Sequence, residues 1–185
     1  MQFNERKAAQ MASYFLMRRG GKMSHLKLMK LLYLSDREAM SKFEHPISGD
    51  RMVSLPHGPV LSMTLDYMDG NIESSKHGWE SYISTIKNHE VSLRHEVTGN
   101  DLDELSICDI EVLDSIWQTF GKMSRWEVRD FTHEHCPEWE DPDGSSMPID
   151  YKDVFIALGK SEDAALELEA SIEALHRVDH IFASV

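Results

Sequence analysis

Apolar residues in the first third of the chain recur three and four positions apart, broken by clusters of Gly and Pro. Between Asn4 and Arg19 the inward set is Ala8, Ala12, Phe15 and Leu16, with Ala9 and Met11 beside them. Residues at that spacing share one side of a helix. Asn4 stands at the N-cap, Arg18 and Arg19 fall in the last turn, where positive charge suits the dipole, and Gly20-Gly21 ends the element. After the short link Lys22-Met23, Ser24 opens a second and far more apolar run. Leu28, Leu31, Leu32 and Ala39 form its stripe, and Leu26, Met29, Tyr33 and Leu34 widen it. A face this broad has to be covered from several directions, which predicts a central buried helix reaching about Lys42, antiparallel to the first.

His45-Pro46 stops that helix, because the residue before Pro avoids the helical region. Ser48-Gly49-Asp50 has turn composition, Arg51–Leu55 reads as a short extended segment, and Pro56-His57-Gly58-Pro59 reads as a stiff corner. Pro59 suits the first turn of a third helix over 60–68, closed by Gly70-Asn71. Residues 72–100 carry a weaker pattern. Trp79, Tyr82, Ile83 and Ile86 have helical spacing, and Glu90–Glu96 alternates, which predicts a short strand pairing with Arg51–Leu55.

Ser106 with Asp109, and Ser124 with Glu127, have capping-box spacing and open two more helices. Ile110, Leu113, Ile116, Trp117 and Phe120 stripe the first, which Gly121 ends; Trp126, Val128 and Phe131 anchor the second, with Trp126 in the core. Pro137–Pro148 reads as an open loop holding Trp139, Ile149–Leu158 as a short helix. Ser161 caps a last helix whose inward positions are Ala165, Leu168, Ile172, Leu175 and Val178. The whole pattern predicts a mainly α, compact single-domain fold over residues 1–185, with a minor extended or short β portion.

At 185 residues the chain can bury a real core without disulfides. Two cysteines, Cys108 and Cys136, make no framework and point to reduced thiols in a cytoplasmic setting. No apolar run approaches membrane-spanning length, and the N-terminus lacks a signal-peptide core. Residues 1–60 hold ten Lys/Arg against five Asp/Glu, whereas residues 61–185 hold nine against 27. An acidic body disfavours nucleic acid, whose phosphates need clustered Lys and Arg.

Candidate chemistry is sparse. No glycine-rich phosphate loop, GxSxG elbow or CxxC pair is present, and no cofactor is expected. His133, His135 and Cys136 are weak metal candidates, because His133 and His135 point about 200° apart on a helix. His57, between prolines, has three readings: a half-buried ring bonding backbone, a partner contact, or a general base with Asp36 or Asp50 in a small hydrolase. Asp36 or Arg37 would tie the central helix to Asp50 or Arg51 of the turn, or the same residues would serve in binding a partner. Trp139 suits a partner contact or a loop lid.

LKLMKLLYLSDREAM followed by HPISGDRMVSLPHGPVLS resembles the opening of the Panacea domain, the SocA-like antitoxin family also described as phage-associated. WEVRDFTHEHCPEW followed by GSSMPIDYKDVF resembles its closing half, so that the likeness runs from Phe3 to about Arg177. Asp36-Arg37, Gly49-Asp50-Arg51, Pro56-His57-Gly58-Pro59, Thr132-His133-Glu134 and Trp139 match its motifs; His135-Cys136 before Pro137 departs from its spacing. The resemblance implies a helical, non-enzymatic antitoxin that binds and neutralises a cognate toxin encoded beside it. As an alternative it implies an adaptor delivering that toxin to a cytosolic protease or unfoldase. The sequence leaves the oligomeric state open; the last helix is the element that could pair two copies in a homodimer.

Overall fold

The computed structural model describes residues 3–183, leaving out the side chains of 176 and 178–183. Helix α1 spans Glu5–Arg18, and the Asn4 side chain caps it by accepting the Lys7 N–H at 3.0 Å. Its expected inward residues are buried. Lys22–Ser24, expected to be a bare link, forms strand β1. Helix α2 runs His25–Phe43 and buries Leu28, Leu31, Leu32, Tyr33 and Ala39 completely. Ser24 holds the N-cap position of α2 without a side-chain capping bond.

Strand β2 (Met52–Leu55) turns through Pro56-His57 into strand β3 (Gly58–Leu61). The third helix, α3, therefore starts at Ser62 and runs Ser62–Asp69, two residues later than expected. Pro59 sits in β3, opposite Ser54; β3 is an edge strand, where a residue without an N–H is tolerated. A single helical turn, α4 (Trp79–Tyr82), leads to strand β4 (Glu90–Ser92). The expected pairing of β4 with β2 does not form. β4 pairs with β1 and sets Met23 opposite Val91, both buried, while the partners of β2 are β3 and a strand further on.

Helices α5 (Ile107–Phe120) and α6 (Arg125–His135) each begin with a complete capping box, Ser106/Asp109 and Ser124/Glu127. Strand β5 (Met147–Ile149) joins β2 from the loop that looked irregular, and its use of Ile149 delays helix α7 to Tyr151–Ala157. Helix α8 spans Glu162–Ala183. Among the described residues the fold is thus mainly α, eight helices with a two-stranded and a three-stranded sheet.

One apolar cluster runs from α1 to α8, with α2 covered by α1, α5, α6, β3 and α7. Trp126 and Leu175, both expected in the core, are exposed instead. Trp126 is 45% exposed, because Val128, two positions on and so on the opposite side of α6, takes the inward place. Leu175 is 51% exposed on α8, and Val178 falls outside the described side chains. Among the described residues no helix is long and apolar enough to cross a membrane.

Candidate functional site

The polar residues of α2 organise the turn that follows it. Asp36 is fully buried, and one of its oxygens accepts the N–H groups of Ile47 and Ser48 at 2.9 and 3.0 Å while the other accepts the Ser48 hydroxyl. The Ser48 oxygen in turn accepts the Asp50 N–H at 3.0 Å. Asp50 accepts the N–H groups of Met63 and Thr64 at 3.0 and 2.8 Å and the Thr64 hydroxyl at 2.7 Å. It thereby caps α3, whose own N-cap position is Leu61, which has no oxygen to offer. Burial pushes the Asp36 carboxyl up to about 7, against the downward pull of its Ser48 bonds, and raises Asp50 as well.

The expected tie between helix and turn exists, but not as an ion pair. Ser48 links Asp36 to Asp50, and Arg51 points outward with a guanidinium nitrogen 3.6 Å from the Met63 sulfur. Arg37 turns instead to Glu138, at 2.7 and 3.3 Å, and the Tyr33 hydroxyl donates to the same carboxylate at 2.5 Å. Burial pulls the Arg37 pKa down most, but the hydrogen bond and charge of Glu138, with Cys136 and Tyr33, together leave it raised.

The Pro-His-Gly-Pro corner is a hairpin tip. Pro56 and His57 are exposed, whereas Gly58 and Pro59 are buried. Beneath them lies Lys30, wholly buried, its ammonium donating to the Pro59 carbonyl at 2.7 Å. Burial depresses the Lys30 pKa to about 7. Gly58 has φ +95°, and a Cβ there would come within 2.9 Å of Thr132 Oγ1, 3.0 Å of Lys30 Nζ and 3.1 Å of His133 Cδ2. From the other side the Trp139 indole donates to the Leu55 carbonyl at 3.0 Å. Its ring stacks on His133, with centroids 4.0 Å apart and planes 5° from parallel. Burial, and then the charge of Lys30, lower the His133 pKa. Trp139 thus ties its loop to the corner, which Lys30 of α2 and His133 of α6 also approach.

His57 does not meet the carboxylates suggested as its partners. Asp36 and Asp50 are each held by three donors, and no hydrogen bond or ion pair joins either to His57 among the described residues. The His133–Cys136 run does not converge either. His133 stacks on Trp139 and His135 on Phe131, with centroids 4.3 Å apart. Cys136 is buried, its thiol pushed up to about 12 by that burial. No group of three His, Cys, Asp or Glu side chains could hold a metal ion among the described residues.

Sequence reasoning did not find the two buried lysines. Besides Lys30, Lys27 donates to the Gly121 and Met123 carbonyls at 2.8 and 2.5 Å, tying α2 to the corner between α5 and α6. The available signal was their place, three residues apart inside the most apolar run of the chain.

The family model described as "Antitoxin SocA-like, Panacea domain" matches residues 28–140. That stretch holds Lys30, Asp36, Asp50, the hairpin tip, His133 and Trp139; the expected closing motif around β5 and α7 lies beyond it. No curated protein and no solved structure matches the chain.

Proposed function

The chain belongs to the SocA-like Panacea domain family of antitoxins, and from that membership we propose that it binds a cognate toxin encoded beside it and neutralises it by direct contact. The family match carries this reading. The geometry supports a binding role: Pro56 and His57 project from a tip fixed from below by Lys30 and from the side by Trp139. A surface ordered before binding avoids the entropy of ordering it during binding. The acidic body favours a basic partner, because complementary charge speeds encounter and sharpens partner choice. Asp36 and Asp50 act as structural ties here, which leaves His57 without the carboxylate a hydrolase would need. In this reading residues 1–185 form one cytoplasmic domain. Co-expression with the product of the adjoining gene tests it. Restored growth and co-purification are expected, and failure of both overturns the reading.

A further inference from the structure

Next to the clamped corner lies an open groove of about 610 Å³. Strand β5 and helix α7 form one wall, and Pro137-Glu138 the other. Met147 and Ile156 line it, 42% and 44% exposed. Single exposed apolar residues are ordinary on a protein surface, but two facing one concavity are not scattered. Both walls are tied to the fold, since Glu138 is held by Arg37 and Tyr33 and β5 is paired to β2.

The charged residues that line the groove, Glu138, Glu140 and Asp153, are all acidic, with Glu138 paired to Arg37 and Lys152 next to Asp153 on α7. Residues 130–151 contain no Lys or Arg and seven Asp/Glu: Asp130, Glu134, Glu138, Glu140, Asp141, Asp143 and Asp150. Glu140 and Asp153 both line the groove, and neither carboxylate takes a hydrogen bond or ion pair among the described residues. The sheet order β3-β2-β5 leaves one edge of β5 open, yet Pro148 at its centre has no N–H for an added strand. Docking here proceeds through side chains.

We propose that this groove receives a short basic segment of the toxin, an apolar side chain seated between Met147 and Ile156 and Lys or Arg side chains against Glu140 and Asp153. The proposal rests on the antitoxin reading and adds the groove to the hairpin tip as a contact surface. A nucleic acid or other polyanion is repelled by the same rim.

The test titrates the purified product of the adjoining gene against the full chain and two groove variants, Ile156→Ser and Glu140→Gln/Asp153→Asn. Both change exposed side chains, and circular dichroism checks their folding. Ile107→Ser, at an 80% exposed position outside the groove, is the control. Ile156→Ser is expected to weaken binding about tenfold or more with the salt dependence unchanged. The double variant is expected to slow association and flatten its salt dependence by about one logarithmic unit or less across the accessible range. Groove variants that bind like the wild type, while the wild type binds and neutralises, overturn the groove and leave the antitoxin reading standing. A wild type that neither binds nor neutralises removes that reading, and the groove proposal with it. Self-association abolished by Ile156→Ser, with toxin binding intact, would make the occupant a second copy and overturn the proposal.

Discussion

The Trp139 indole lies flat on the His133 imidazole, centroids 4.0 Å apart, while its N–H reaches the Leu55 carbonyl at 3.0 Å. One side chain thus fastens the 136–146 loop to both α6 and the hairpin. Trp139→Phe keeps a stacking ring and loses the hydrogen bond, at an expected cost of about 1 kcal/mol. Trp139→Ala loses both and is expected to cost about 3 kcal/mol. Urea unfolding measures the two; equal losses would show that the stack contributes nothing.

Gly58 and Gly20 both have positive φ, +95° and +87°, but in different surroundings. A Cβ at Gly20 meets nothing within 4 Å, whereas one at Gly58 meets Thr132, Lys30 and His133. Gly20→Ala is expected to cost about 1 kcal/mol, from backbone strain alone. Gly58→Ala adds a packing clash and is expected to lose about 2–4 kcal/mol. Matching destabilisation in the two variants would mean that the close approach under the hairpin tip does not constrain the corner.

Asp36 holds the turn after α2 through the two N–H groups of Ile47 and Ser48. Asp36→Ala strands both donors in the interior, and an expected loss of about 3–5 kcal/mol follows from leaving buried donors unpaired. Asp36→Asn retains an acceptor oxygen for both and is expected to lose only about 1–2 kcal/mol. Equilibrium denaturation separates the cases, and an alanine variant as stable as the asparagine one would rule out this role for the carboxylate.

What the chain discloses in advance is local. α1 and α5 are legible because periodicity, caps and terminating glycines agree over a dozen residues, α2 by its apolar run and α6 by the Ser124/Glu127 capping box. Pro59 misleads because proline fits two places equally well, the first turn of a helix and an edge strand. The three-residue strands β1, β4 and β5 are too short for alternation to name a partner; β1 finds β4 because Met23 and Val91 need the same cover. At the site, Asp36, Arg37, Asp50, His57 and Trp139 stand out as residue types in a Gly/Pro-rich setting. Their partners do not: the Arg37–Glu138 pair spans 101 positions and leaves no local trace. Lys30 is not marked out in the sequence, because nothing local shows that the Pro59 carbonyl meets it inside.

The two buried ionisable groups of α2 act on stability in opposite directions. The Lys30 amine titrates near about 7 in the folded chain and near about 10.4 when unfolded. Between those values the unfolded chain holds more protons, so this contribution rises with pH above about 7 and is lost as pH falls through it. The Asp36 carboxyl titrates near about 7 folded and near about 3.9 unfolded. There the folded chain holds more protons, so its contribution is full below about pH 4 and is lost as pH rises through about 7. Both contributions are smallest near neutral pH. Lys30→Met is expected to flatten the rise just above neutral pH, before the raised Cys136 thiol opposes it, and Asp36→Asn to make the acid-side fall shallower, the part due to Asp50 remaining. The Tm followed from pH 4 to 10 at fixed ionic strength, roughly the interval between the two unfolded-state pKa values, reads both slopes. Lys30→Met also leaves the Pro59 carbonyl without its donor, so its Tm is expected to drop across the range. The slope, not the offset, decides: an alkaline limb that survives in Lys30→Met would assign it to another group.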